Sequence, residues 1–211
     1  MNRRDLLKQI TLVTGAVVVG GDFFLTGCKQ TGKSEAGFTP STIGLLDEVG
    51  ETIIPATTTP GAKAAKIGEF MKVMVTDCYT EKQEVAFTNG LVSLEEACET
   101  MHGKRFLECD ATERKAFLLS LEKEAKEFNQ KRDEDDKLKK ENHQQANDKL
   151  AWKDQTEFEG NPSHYYTMMK QLTLLGFFSS ETGMTETLRY AAVPGRYDGA
   201  VPYTKGEKAW A

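Results

Sequence analysis

Apolar residues recur three and four positions apart in five stretches of this chain, the spacing of an amphipathic helix. The first follows Thr39-Pro40, a capping residue and a proline suited to the first turn. Its stripe is Ile43, Leu46, Val49 and Ile53, and Pro55 stops it. Thr57-Thr58-Thr59-Pro60-Gly61 reads as a loop. A second helix is predicted over residues 64–78, with Ile67, Phe70, Met71, Met74 and Cys78 on one face. Thr80 and Gln83 form a capping box for a third, with Phe87, Leu91, Leu94, Cys98 and Met101 on its stripe and Gly103 closing it. Asp110 and Glu113 form another capping box, ahead of Phe117, Leu118, Leu121, Ala125 and Phe128. Asn161-Pro162 announces a fifth helix carrying Tyr165, Met168, Met169, Leu172 and Leu175. Short links between such helices predict an all-α, single bundle-like domain over residues 39–211.

Two stretches break the pattern. Residues 129–150 hold six basic and six acidic side chains and little that is apolar beyond Leu138, Ala146 and Leu150. So little apolar surface predicts a disordered loop or a solvated helix pair, in preference to a charge-driven docking site. From Val193 onward the chain is irregular and rich in glycine and proline, so it is neither helix nor central strand. Between these stretches, Phe177 and Phe178 sit side by side at a helix end. Adjacent helical residues diverge by about 100°, so one ring can face the core and the other outward. Either the tail covers both, or one belongs to a partner interface whose other half is Pro194, Gly195, Arg196 and Tyr197. Arg and Tyr are residue types enriched at interfaces.

The first 27 residues read as a signal peptide. Arg3, Arg4 and Lys8 make a basic start, and an apolar run of about ten residues follows, half of what a membrane-crossing helix needs. Leu25-Thr26-Gly27-Cys28 matches a bacterial lipobox, which marks Cys28 for lipidation and cleavage just before it. Asn2-Arg3-Arg4-Asp5-Leu6-Leu7-Lys8 matches a twin-arginine export signal centred on Arg3 and Arg4. An uncleaved membrane-anchor helix is the less favoured reading. Residues 28–38 form a flexible tether, and the domain is expected on the periplasmic side of the envelope, held by lipid.

Composition narrows the function. A formal charge of −5 over 211 residues lacks the basic footprint of a nucleic-acid binder, and a mean hydropathy of −0.49 excludes a multi-span membrane protein. There is no CxxC or CxxCH, and His102, His143 and His164 lie far apart, so no metal or cofactor site is expected in this chain. Cys78, Cys98 and Cys109 are expected to be buried free thiols, with at most one disulfide among them. Glu48 and Glu51 fall on the polar face of the first helix, where solvation accounts for them. The chain is expected not to be an enzyme by itself.

Several segments in order resemble the gluconate 2-dehydrogenase subunit 3 family. They are the twin-arginine leader; Leu46 through Glu51-Thr52-Ile53-Ile54-Pro55; Thr59-Pro60-Gly61-Ala62; the run from Lys170 through Gly176-Phe177-Phe178 to Glu181; and Leu188-Arg189-Tyr190 to Gly199. The charged stretch near residues 129–152 looks like an insertion. The resemblance implies an accessory small subunit beside a large FAD-dependent oxidoreductase of the glucose–methanol–choline (GMC) type, often with a cytochrome c subunit. FAD then sits in the large subunit, and the small one assists its export and maturation. A folded-protein export signal on a chain with no cofactor site of its own fits that arrangement. The alternatives are a standalone envelope lipoprotein, acting as binding module or scaffold, and an enzyme whose site the sequence does not reveal.

Overall fold

The computed structural model describes residues 37–193, 195 and 198–210. Among these residues five α-helices carry the fold: α1 (Pro40–Ile53), α2 (Ile67–Cys78), α3 (Glu81–His102), α4 (Ala111–Asn147) and α5 (Tyr165–Ser179). Their starts follow local chemistry. Thr39 caps α1, Thr80 and Gln83 form a reciprocal capping box on α3, and Asp110 with Glu113 does the same for α4. Gly103 ends α3 at φ 68°, where its N–H returns to the Glu99 carbonyl at 2.8 Å. No β-strand occurs among the described residues, and the all-α architecture expected from the spacing is what the chain adopts.

The core gathers Leu46 and Val49 of α1, Ile67, Met71 and Val75 of α2, Phe87 and Leu94 of α3, and Phe117 and Leu121 of α4. Helix α5 runs through the middle of them, packing against all four other helices. It adds Met169, Leu172 and Phe177, and a helix apolar on most of its circumference belongs in that central place. Two glycines permit the close approach. A Cβ on Gly90 of α3 would stand 2.1 Å from the Tyr165 Cβ, and one on Gly176 of α5 would stand 2.5 Å from the Phe70 ring.

Several boundaries differ from expectation. The second helix begins at Ile67, because residues Ala62–Ala65 form a 3₁₀ turn that ends at Lys66 in the left-handed region, φ 53°. The fifth starts at Tyr165 rather than after Asn161-Pro162; its cap is His164, whose Nδ1 accepts the Tyr166 N–H at 3.3 Å. Cys78, Met101, Phe128 and Leu175, assigned to apolar stripes, are exposed, whereas Phe38, placed at the end of the tether, is 6% exposed and joins the core against Phe87.

The charged stretch departs most. It is neither loop nor helix pair, since α4 continues unbroken for 37 residues, about 55 Å at 1.5 Å per residue. Residues 129–147 contain no Gly, Pro or β-branched side chain, and acid precedes base by four positions at Asp133/Lys137, Asp135/Lys139 and Asp136/Lys140. The returning chain hydrogen-bonds to this outer half. Asp136 accepts the Asn161 N–H at 2.7 Å, Asn129 bonds both the His164 N–H (3.0 Å) and Thr167 Oγ1 (2.8 Å), and Arg132 reaches Ser163.

Candidate partner-docking surface

The outer face of α5 carries three apolar side chains with little cover. Leu174 and Phe178 are each 40% exposed and Leu175 is 52% exposed. Phe177, one residue away, is 1% exposed, and its ring meets that of Phe178 edge-on at 5.1 Å. The two adjacent aromatics therefore split between core and surface. The stripe rests on a rigid base. Gly176 lies against Phe70 and Ile67, and beyond the helix Ser180 Oγ bonds the Phe177 carbonyl (2.7 Å) and accepts the Gly183 N–H (3.0 Å).

Beside the stripe, an open groove of about 800 Å³ runs between α4 and α5. Ala125, Tyr166 and Leu174 supply its apolar lining, and charges of both signs, among them Lys126, Asp133 and Lys137, surround it. Lys170 and Glu122 pair across it. Burial pushes the Tyr166 phenol up to about 12, with Glu122 adding to the shift. A surface with an apolar centre and a rim of mixed charge is the anatomy of a protein–protein contact.

The C-terminal segment forms an exposed loop closed at its base. The Arg189 N–H donates to the Ala209 carbonyl at 2.7 Å, its guanidinium pairs with Glu207 at 3.0 Å, and it lies over the Trp210 ring at 4.7 Å. Between these ends, Val193 and Tyr203 are more than four-fifths exposed. Of the tail residues assigned to a partner interface, Gly195 is described, at φ 71°. Pro194, Arg196 and Tyr197 lie outside the described residues, as do Arg3, Arg4 and Cys28.

The glutamates of α1 do more than face solvent. Glu48 binds Lys63 and Arg114, the latter at 2.7 Å, and these cations hold its carboxyl below the usual range, Lys63 contributing most. Glu51 accepts the Ala56 N–H (2.8 Å) and the Lys63 N–H (2.9 Å), and a Cβ on Gly61 would stand 2.4 Å from its oxygens. The Glu51…Pro55 and Thr59…Ala62 segments are thus two halves of one joint. Among the described residues no cluster of three or more His, Cys, Asp or Glu side chains is placed to hold a metal ion, and no helix is long and apolar enough to cross a membrane.

Leu174 and Leu175 escaped the sequence reading as surface residues. The signal was present: α5 has more apolar positions than a single stripe can hold, so some had to point outward. The groove needed the path of α4 beyond Phe128, which apolar spacing does not report.

No curated protein and no solved structure matches the chain. A family model, described as Gluconate 2-dehydrogenase subunit 3, matches residues 40–195. The match begins at the first residue of α1 and takes in all five helices, the groove and the exposed stripe of α5. The family is named for a subunit of a dehydrogenase, which implies association with a larger complex. The chain belongs to the gluconate 2-dehydrogenase subunit 3 family.

Proposed function

We propose that this protein is the lipid-anchored, non-catalytic small subunit of a FAD-dependent, GMC-type sugar or alcohol dehydrogenase on the periplasmic side of the envelope. It binds the flavin subunit and assists its export, maturation and assembly, with a cytochrome c subunit as a further partner. The observation that carries this reading is the exposed Leu174, Leu175 and Phe178 stripe on a helix whose other faces are buried in the bundle. Apolar side chains held on a rigid helix, beside a groove with charged margins, are the material from which interface hot spots are made. The leader supports the anchoring half: Arg3 and Arg4 fit twin-arginine export, and Cys28 fits lipidation. FAD, in this reading, is held by the large subunit.

The test is co-purification from the native membrane with a flavin absorbance spectrum of the product. Leu175→Glu and Phe178→Glu leave the core untouched, so circular dichroism is expected to match wild type while flavin-subunit retention falls at least tenfold. Full retention in both variants moves the interface elsewhere. Separately, Cys28→Ala is expected to abolish fatty-acid labelling and leave the chain unprocessed or released. Undiminished labelling of that variant ends the lipoprotein assignment.

A further inference from the structure

Cys98 and Cys109 are eleven positions apart in sequence, and their Sγ atoms are 3.6 Å apart in the fold. Cys98 sits in the penultimate turn of α3, fully buried, and Cys109 directly precedes the Asp110 cap of α4 at 4% exposure. The chain between them is fixed by bonds that do not involve sulfur. The Gly103 turn reverses it, and the Phe106 N–H donates to Glu95 Oε2 at 3.4 Å. Arg114 then clamps it, Nε to the Phe106 carbonyl (3.0 Å) and Nη2 to the Leu107 carbonyl (2.8 Å), while Nη1 holds Glu48 of α1. A corner built this way keeps the two thiols together whatever their oxidation state. A disulfide needs its sulfurs about 2.05 Å apart, and at 3.6 Å the two thiols already touch.

We propose that Cys98 and Cys109 are a disulfide site that staples the end of α3 to the start of α4. The oxidant is a small-molecule or protein disulfide. One cysteine thiolate attacks it, forming a mixed disulfide and releasing the first oxidant sulfur as a thiol; the second cysteine then displaces the other. Two S–H bonds break and one S–S bond forms, and the oxidant takes up two electrons and two protons as it becomes two thiols. Burial pushes the Cys98 thiol up to about 12, with Cys109 and the carboxylates of Glu95 and Glu113 adding to the shift. The closed corner therefore reacts slowly, and exchange proceeds when it opens locally. Once formed, the bond is equally shielded from reductant. Cys78, exposed at the end of α2, is the internal reference for unspecific oxidation.

The chemistry of the pair is independent of the export reading, and only its state in the cell rests on it. The reduced full-length chain is equilibrated in oxidised glutathione, denatured, alkylated and mapped without reduction. The expected product is a peptide linking Cys98 to Cys109, with Cys78 alkylated or carrying glutathione. Recovery of Cys98 and Cys109 as free thiols, or of linkages to Cys78 in equal yield, overturns the proposal. As a second measurement, the melting temperature of oxidised wild type is expected to fall by several degrees on reduction, and that of Cys109→Ala to stay constant. An equal response in the two proteins also overturns it. The same mapping on protein alkylated inside intact cells separates the two readings. A pair found reduced there, although it oxidises in the tube, counts against the envelope location and leaves the site assignment standing.

Discussion

The bundle body and the outer half of α4 are held by different physics within one chain. In the body, Phe87, Phe106, Phe117 and Phe177 are almost wholly buried and glycines let helices touch. In the outer half Leu138 is exposed, as are Leu150 and Trp152 just beyond its end, and the returning chain is attached through polar groups: Asp136 to Asn161, Asn147 to Thr156, Arg132 to Ser163. Close packing removes apolar surface from water and costs several kcal/mol to undo, whereas a hydrogen bond near water contributes about 1 kcal/mol net. The body is therefore expected to set global stability. The outer half is expected to set a local one.

The sharpest way to break that contrast is a cavity in the body. The Phe87 ring stacks on Phe38 at 6.2 Å and meets Tyr79 edge-on at 6.5 Å, with no exposed surface. Phe87→Ala is expected to cost about 3–5 kcal/mol in urea unfolding. Phe158→Ala, which removes a half-buried ring beside His143 in the outer half, is expected to cost far less. Equal costs would end the distinction.

The joint between α1 and the turn before α2 comes next. At Gly61 an added methyl group would stand 2.4 Å from both Glu51 oxygens and 2.5 Å from the Ala56 backbone nitrogen. Both must shift, and the bonds from the Ala56 and Lys63 N–H groups to Glu51 are disturbed. Gly61→Ala is expected to cost about 1–3 kcal/mol. Glu51→Gln, which keeps one carbonyl acceptor, is expected to be milder than Glu51→Ala. If Gly61→Ala is neutral by thermal unfolding, the joint is not what positions the turn.

These two regions were unequally legible in the sequence. Thr39, Thr80, Asp110 and Gly103 announced helix ends by chemistry local to a few residues, and the stripes through Leu46, Phe87 and Phe117 announced the core. The outer half of α4 was misread because its helicity comes from charge order and the absence of breakers, not from an apolar face. Its return path rests on Asp136 and Asn161, which are 25 positions apart and pair with each other only in the fold. At the candidate surface, the division of Phe177 from Phe178 follows from helix geometry. The groove does not, because it needs two helices whose mutual placement no local pattern encodes. Glu48 and Glu51 look alike on a helical wheel, and only the arrival of Lys63 and Arg114 tells their roles apart.

His164 lies at the seam between the two regions and gives the contrast a pH axis. Burial lowers its pKa below the ordinary 6.5, and Glu124, with an oxygen 3.8 Å from Nε2, opposes that only in part. The neutral ring caps α5 through the Nδ1 lone pair, which protonation removes. Because the folded-state pKa is the lower one, the unfolded chain binds the proton first as pH falls. The contribution is thus complete above about pH 7 and is lost as pH drops through 6.5 toward the depressed value. His164→Asn retains a capping group that does not titrate. The wild-type melting temperature is expected to fall between pH 7 and 5 more steeply than that of the variant, and parallel curves would remove His164 from the account.

The smallest expected effect decides the most. Asn147 Nδ2 donates to the Thr156 carbonyl, its Oδ1 accepts the Thr156 N–H at 3.3 Å, and its own carbonyl takes the Gln155 Nε2 at 3.1 Å. In Asn147→Ala the first two bonds are lost, but Thr156 is exposed and water replaces them. The global cost is expected to stay near 1 kcal/mol or below. What changes is local opening, since the tip of α4 then keeps fewer ties to the returning chain: His143 Nε2 to the Thr156 carbonyl at 2.9 Å, the His143–Phe158 ring contact and the Gln155 bond. Amide hydrogen exchange over residues 141–147 and 155–157 is expected to accelerate, while the amides of α2, α3 and α5 keep their rates. A uniform acceleration through all five helices would mean that the charged half of α4 unfolds only with the bundle. In that case the polar contacts along it would transmit as much cooperativity as the packed core, and the two regions would be one.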